Sequence, residues 1–248
     1  GQLGIGDQVI TVDGSPTRVT GVHPQGRRAI VRVTMNDGSW TRCDSEHLWT
    51  VQTDLGLSRG RPWRTLTTAE MQAMGVRDAA GRERWRIPIV RPVQHLAAEL
   101  PIDPYVMGVL LGDGSFRAAS ITFHSADAEI PAEVKSRLPQ SMRISEVLDK
   151  NMPTATGYRI VVQGMTNWNK TNPYLAAIAR WGLHGKLAHE KFIPAEYLRG
   201  SPAQRLDLLR GLMDTDGYVA ASGTVQFGTS SPHLADAVVE LVNSLGGV

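Results

Sequence analysis

Two segments of this chain begin alike, and their repetition constrains the fold more than any other feature of the sequence. Asp103-Pro104 and Ser201-Pro202 each place a capping side chain before a proline, which is a common way for a helix to begin. Helices are therefore predicted over residues 104–112 and 202–215, each followed by two short strands and a further helix. The acid–glycine pairs that follow the two helices, Asp113-Gly114 and Asp216-Gly217, are 103 residues apart, which is far longer than a solenoid repeat and favours a duplicated subdomain.

Each predicted helix carries small residues four positions apart, so one of its faces has almost no side chain. These residues are Gly108 and Gly112 in the first helix, and Gly211 and Thr215 in the second. Two such faces can pack with their backbones in close approach. If the helices meet in this way, Asp113 and Asp216, which follow the two helix ends, come to lie side by side.

Two neighbouring carboxylates repel each other unless cations lie between them, so this pair predicts a site for hard divalent metal ions. Magnesium held by Asp113 and Asp216 can polarise a phosphodiester, generate hydroxide and stabilise the leaving oxygen. Hydrolysis of a nucleic-acid backbone is the reaction class that fits, with two or more Mg²⁺ ions between the acids. A single acidic residue before glycine is more often only a helix stop and a turn, but the repetition favours the metal site.

The segments 106–114 and 209–217, VMGVLLGDG and LRGLMDTDG, resemble the paired motif blocks of the LAGLIDADG homing endonucleases. The resemblance implies a metal-dependent double-strand break in DNA, with the last acid of each block, Asp113 and Asp216, as a metal ligand and catalytic residue. It also implies that Lys191, in the run KFIP, lies near the scissile phosphate and activates water or steadies phosphate charge.

The β-branched runs of residues 9–51 are separated by Asp13-Gly14 and by Asn36-Asp37-Gly38, a pattern typical of tight hairpins in an all-β module. The module resembles the front of an intein's Hint splicing fold, and the run EHLW resembles the block that holds the splicing histidine. The resemblance implies that His47 polarises the first scissile peptide for an acyl shift. A lone histidine before an apolar run is otherwise more often structural, and Asp44 stands where the family has threonine.

A basic segment follows this module: eight arginines but only three acids lie between Arg59 and Arg91, with Trp63 and Trp85 among them. The segment is predicted either as a solvated loop or as an arm that follows DNA phosphates and offers planar groups for stacking. The arginines expected to contact DNA in the second case are Arg61, Arg64, Arg82 and Arg84.

The strands after the motif blocks, 115–124 and 218–229, are expected to lie in the DNA major groove as a saddle. Their outward side chains would read base edges, while phosphate contacts would set the register. The residues expected near base edges are Arg117, Thr122, His124, Gln226 and Thr229.

Composition adds limits rather than a function. The net charge of +2 and pI near 8.8 are too mild to indicate nucleic-acid binding by themselves, and the one cysteine, Cys43, cannot form an internal disulfide. The sequence has neither an apolar run of membrane-spanning length nor a signal peptide, so no membrane partner and a cytoplasmic location are expected.

These observations predict an α+β protein, an all-β Hint-type module followed by a LAGLIDADG domain with pseudo-twofold αββαββα repeats, the second incomplete. The predicted parts are the start of the splicing domain at 1–53, an Arg-rich insertion and linker at 54–95, the first repeat at 96–200 and the second at 201–248. The predicted function is an intein-encoded homing endonuclease, a monomer that binds double-stranded DNA within host-protein exteins.

Two alternatives stay open: a DNA- or RNA-binding LAGLIDADG module without cleavage, and a splicing-only intein with an inactive endonuclease. The sequence has no terminal nucleophile and no terminal His-Asn, so it is expected to be a fragment that cannot splice by itself.

Overall fold

The chain divides near residue 90 into two units, which are described separately. The computed structural model describes residues 2–118, 120–147, 154–164 and 172–247. Unit one spans residues 1–90 and unit two spans residues 91–248. The predicted boundary after residue 95 lies close to this division, whereas the predicted boundary after residue 53 lies inside unit one.

Unit one is built from β-hairpins, as its alternation of β-branched runs and turns predicts. Its strands are β1 (Gln8–Ile10), β2 (Pro16–Arg18), β3 (Val31–Thr34), β4 (Trp40–Cys43), β5 (Leu48–Val51) and β6 (Arg64–Thr67). They pair antiparallel as β1 with β2, β3 with β4, and β5 with β6. Gly38 closes the β3–β4 turn at a φ of 86°, a conformation that favours glycine, so the predicted turn is present.

The Arg-rich segment supplies part of the fold of unit one. Its helices are α1 (Asp54–Ser58) and α2 (Thr68–Met74), which begin at the capping side chains of Thr53 and Thr67. Strand β6 pairs with β5, and Leu66 and Met71 pack in one small core with Cys43, Trp49 and Val51. This pairing and this shared core are the physical reason that the structure shows no division at residue 53.

Unit two begins with the predicted order of elements. These are α3 (Pro104–Gly112), β7 (Gly114–Ser115), β8 (Ile121–Ser125), α4 (Glu129–Arg137), β9 (Met142–Val147), β10 (Thr156–Val162) and α5 (Pro173–Arg180). The strands form one antiparallel sheet in the order β7-β8-β10-β9. The order αββαββα expected for residues 104–181 is therefore observed.

The rest of unit two ends with the element order αββα. It contains a 3-10 turn (Ala188–Glu190), α6 (Ala195–Leu198), α7 (Pro202–Asp216), β11 (Gly217–Val219), β12 (Val225–Phe227) and α8 (Pro232–Ser244). Strands β11 and β12 pair antiparallel. Helix α7 ends at Asp216, one residue later than predicted.

Helix α3 lies at the centre of unit two, because its sequence is apolar on every side and eight of its nine residues are buried. Asp103 caps it by accepting from the backbone N–H groups of Tyr105 and Val106, and Ser201 forms a capping box with Gln204 at the start of α7. Both predicted helix starts are confirmed. In the described ranges, no helix is both long and apolar enough to cross a membrane.

Candidate metal and nucleic-acid site

Helices α3 and α7 pack against each other through their glycines. A Cβ atom added to Gly108 would lie 2.8 Å from the backbone nitrogen of Leu212, and one added to Gly211 would lie 2.9 Å from that of Val109. Both distances are well below ordinary van der Waals contact, so a side chain at either glycine would separate the helices. The predicted contact between the two small-residue faces is present.

The two predicted metal ligands lie at the carboxyl ends of these helices. Asp113 directly follows α3, and Asp216 is the last residue of α7. A Cβ atom on Gly112 would lie 3.2 Å from Oδ2 of Asp216, so the Asp216 side chain reaches the end of α3. The structure therefore brings the two carboxylates to one place.

The electrostatics of this place favour a cation. Burial raises the pKa of the Asp113 carboxyl, and the neighbouring charge of Asp216 raises it further. Burial also raises the pKa of Asp216. Both acids stand at helix carboxyl ends, where the helix dipole is already negative. A divalent cation bound between Asp113 and Asp216 would stabilise the ionised form of both carboxylates.

The donor set suits magnesium that shares its coordination shell with a substrate. In the described part of the chain, no three His, Cys, Asp or Glu side chains form a group that could hold a metal by themselves. Magnesium is commonly held by one or two carboxylates, with water and substrate phosphates completing its octahedron. Asp113 and Asp216 fit that pattern.

Lys191 is buried beneath the end of α3, with 4% of its surface exposed. Its Nζ donates to the backbone carbonyls of Leu111, Gly112 and Gly114 at 2.8, 2.9 and 2.8 Å, and lies 3.3 Å from that of Leu110. An ammonium group has three protons, so these carbonyls occupy all of them. The sequence predicts contact with water or phosphate at this lysine, whereas the structure shows a cap on the carboxyl end of α3.

Burial lowers the pKa of Lys191 to about 8, against the opposing charges of Asp216 and Asp113. In turn, Lys191 lowers the pKa of both carboxyls. A cavity of about 320 Å³ opens beside this group, with Gly112, Asp216, Lys191 and Thr229 in its wall. The cavity gives a ligand access to the Asp216 carboxylate.

The earlier acid of the second motif block, Asp214, accepts a hydrogen bond of 2.8 Å from the hydroxyl of Tyr105 on α3. Burial raises the pKa of Tyr105, and the bond to Asp214 raises it further, so the phenol keeps its proton. Asp214 thus links α7 to α3 by a hydrogen bond, and it is not among the residues that line the cavity beside Asp216. Sequence reasoning did not predict this contact.

The outward face of the four-stranded sheet carries polar side chains. Thr122 and His124 alternate on β8 with buried Ile121 and Phe123, so their side chains lie on the face away from the core. Arg159 of β10 stands directly opposite Thr122.

Two arginines on this face were missed by sequence reasoning. Arg159 also stands opposite Ser145 of β9. Two positions further along the strands, Arg143 stands opposite Val161, so Arg143 lies on the same face as Arg159. Both arginines are exposed. The period-two alternation of β9 and β10 is the signal that identifies them.

The remaining predicted base contacts differ in position. Gln226 is exposed on β12 opposite Tyr218, on the face away from the packed Phe227. Thr229 follows β12 and lines the cavity of Asp216 rather than a strand face. Arg117 is exposed in the loop after β7, outside the regular strands, because β7 ends at Ser115.

In unit one, His47 is exposed just before β5, and its ring packs edge-on against Trp49 with centroids 4.9 Å apart. Its backbone carbonyl accepts from the N–H of Thr68 at 3.0 Å. The carboxylate of Asp44 lies 3.4 Å from the guanidinium of Arg28. The structure places His47 at an accessible position in unit one, whereas both aspartates and Lys191 belong to unit two.

The four arginines predicted to form a DNA-contacting arm have different surroundings. Arg82 is held by Asp78 at 2.9 Å, and Arg64 lies over the ring of Trp85 at 5.9 Å. Arg61 is exposed and Arg84 is half-buried. Elsewhere in the segment, Arg77 pairs with Glu83 and Arg86 pairs with Asp54, so three of its eight arginines are paired with an acid.

Helix α7, which bears Asp216, the hairpin after it and α8 lie within a segment that resembles a known domain family. Residues 203–248 match the LAGLIDADG-like domain family. This LAGLIDADG segment contains the packing glycine Gly211 as well as Asp216. The match supports a LAGLIDADG endonuclease and, with it, DNA binding.

The chain is also similar to a longer protein, the replicative DNA helicase DnaB of Mycobacterium intracellulare, with 33% identity over 263 aligned residues. The alignment covers 99% of this chain and 39% of the helicase. The chain therefore spans about two fifths of the length of the relative it matches.

Proposed function

We propose that this chain is part of an intein-encoded homing endonuclease that makes a divalent-metal-dependent double-strand break in DNA. The observation that carries the proposal is the convergence of Asp113 and Asp216 at the ends of two glycine-packed helices. The second of these helices lies in the LAGLIDADG-like segment. Helices α3 and α7, each followed by a strand pair, supply one acid each. Such a pair of acids suits a monomer that cuts both strands of a DNA duplex.

Magnesium is the proposed cofactor, and when bound it would supply a polarised phosphoryl group and an activated water. Asp113 and Asp216 would hold it through their carboxylate oxygens. Lys191 would keep Asp113 in place, because its hydrogen bonds fix the backbone on both sides of that residue. Its charge also favours the ionised form of each acid. We therefore assign Lys191 to positioning rather than to direct contact with phosphate.

DNA recognition is proposed for the outward sheet faces of unit two. Thr122 and His124 would lie near base edges together with Gln226, and the exposed Arg143 and Arg159 would contact phosphates or guanines. Arginine is suited to both, because its planar fork of donors matches a phosphate or the acceptor edge of guanine.

A splicing role is proposed for unit one in the full-length parent. Three antiparallel hairpins and the accessible His47 are compatible with a Hint-type module, and the exteins would be the two flanks of a host protein. The similarity to DnaB supports this context, because nearly all of the chain aligns with less than half of a much longer protein. A DnaB-type helicase is the proposed host.

The test is to incubate the full chain with a plasmid library of random inserts, and with a DnaB gene that lacks the aligned segment. We expect a double-strand break at a recurrent sequence in Mg²⁺ and no break in EDTA. Specific binding without a break in Mg²⁺ or Mn²⁺ would favour the non-cleaving module instead. Neither binding nor cleavage would favour the splicing-only intein.

A further inference from the structure

The outward face of the β3–β4 hairpin in unit one carries two arginines and a tryptophan. The strands pair so that Arg32 stands opposite Arg42 and Thr34 stands opposite Trp40. Val33 and Cys43 alternate with these residues and pack in the small core of the unit. The hairpin therefore presents Arg32, Thr34, Trp40 and Arg42 on one solvent face, which we call the hairpin surface.

The two guanidinium groups rest on the tryptophan. The Cζ atoms of Arg32 and Arg42 lie 4.8 and 5.3 Å from the ring centroid of Trp40, and half of this tryptophan is exposed. Stacking on a ring leaves the N–H edges of a guanidinium free to bind an anion, and it reduces the freedom that the side chain loses on binding.

The charge of this surface is uncompensated. Throughout the described ranges, neither Arg32 nor Arg42 has a carboxylate within ion-pair distance, in contrast to Arg77, Arg82 and Arg86 of the Arg-rich segment. Like charges directly opposite each other across two strands destabilise a hairpin. Because Arg32 and Arg42 lie together on the exposed ring of Trp40, a bound polyanion would relieve their mutual repulsion.

We propose that the hairpin surface binds the phosphate backbone of duplex DNA, with Arg32 and Arg42 as the contacts and Trp40 as the support that orients them. The choice of duplex DNA rests on the function proposed above. The surface lies outside the segment for which the sequence predicted a DNA-contacting arm. No base-specific contact is assigned to it, so it would strengthen binding to any duplex sequence.

The test measures affinity of the full chain for a random-sequence duplex, in EDTA, from 50 to 200 mM salt. The double variant R32A/R42A should weaken binding on the order of tenfold at 100 mM salt, and flatten log affinity against log salt by about 1.8, or about 0.9 per lost phosphate contact. Trp40→Ala keeps both charges but removes the ring that orients them. It should weaken binding severalfold, with a much smaller change in the slope of log affinity against log salt. Trp40→Phe keeps an aromatic ring and should restore the affinity.

The matched control is R77A/R180A, which also removes two exposed arginines, each paired with an acid. It should leave the slope near that of the unmodified chain. An R32A/R42A protein that is folded by circular dichroism and binds duplex DNA with unchanged affinity and slope would overturn the inference. Loss of binding to single-stranded RNA but not to duplex DNA would also overturn it. If the unmodified chain binds no duplex, the proposed function itself fails.

Discussion

Replacing Gly108 by alanine tests the helix contact on which the site depends. The new Cβ would lie 2.8 Å from the nitrogen of Leu212 and 2.9 Å from Cα of Gly211. Contacts between such atoms are normally about 3.5 to 4.0 Å, so α3 and α7 must move apart by roughly 0.6 to 1.2 Å. Overpacking of this kind costs about 1–3 kcal/mol, and the contact with rigid backbone favours the upper end.

The better helix propensity of alanine offsets about 1 kcal/mol of this cost, which leaves a net loss of about 2 kcal/mol. In a protein of this size, that loss lowers the melting temperature by about 4–8 °C. Thermal unfolding followed by circular dichroism measures it. Gly228→Ala is the control, because the nearest atom to its Cβ is 3.9 Å away. A Gly108→Ala protein as stable as the parent would refute the close packing of α3 and α7.

Two further substitutions test the supports of α3. Lys191→Met removes the donor to the carbonyls at the end of the helix, so we expect the unfolding free energy to fall by about 2–4 kcal/mol in a denaturant titration. Lys186→Met removes a half-buried lysine paired with Glu190 and should change the unfolding free energy by less than about 0.5 kcal/mol. Equal effects would contradict the capping role. Asp103→Ala should cost about 1 kcal/mol through loss of the cap, while Asp103→Asn keeps the cap. Burial raises the pKa of Asp103 above its value in the unfolded chain, so the folded state holds this proton more tightly. The stability of the parent relative to Asp103→Asn should therefore fall as pH rises above about 3.9. A relative stability that rises over the same pH range would contradict the raised pKa.

Local signals in the sequence were sufficient for the helices that build the site. Prolines after Asp103 and Ser201 mark where α3 and α7 begin, and the glycines four residues apart predict the face through which they meet. These features act within one or two helical turns, so they can be identified without knowledge of the rest of the chain.

Features that depend on distant parts of the chain could not be predicted in this way. Nothing near Lys191 in sequence indicates that its ammonium lies against carbonyls some 80 residues away. The pairing of β6 with β5 likewise joins the Arg-rich segment to the hairpins before it, although composition changes sharply between them. The ion pair of Arg86 with Asp54, 32 residues earlier in the chain, is also invisible to a count of charges.

We propose that Asp113 and Asp216 hold the metal used for cleavage and contribute little to DNA affinity. Replacing either by Asn keeps the shape and removes one charge, so magnesium-dependent cleavage should fall on the order of a hundredfold or more. Duplex affinity in Ca²⁺ or without metal should hold or rise, because a carboxylate repels phosphate. Asp236→Asn, an exposed carboxylate on α8, should cleave at the parental rate. Parental cleavage rates in magnesium for both Asp113→Asn and Asp216→Asn would contradict the proposed active site.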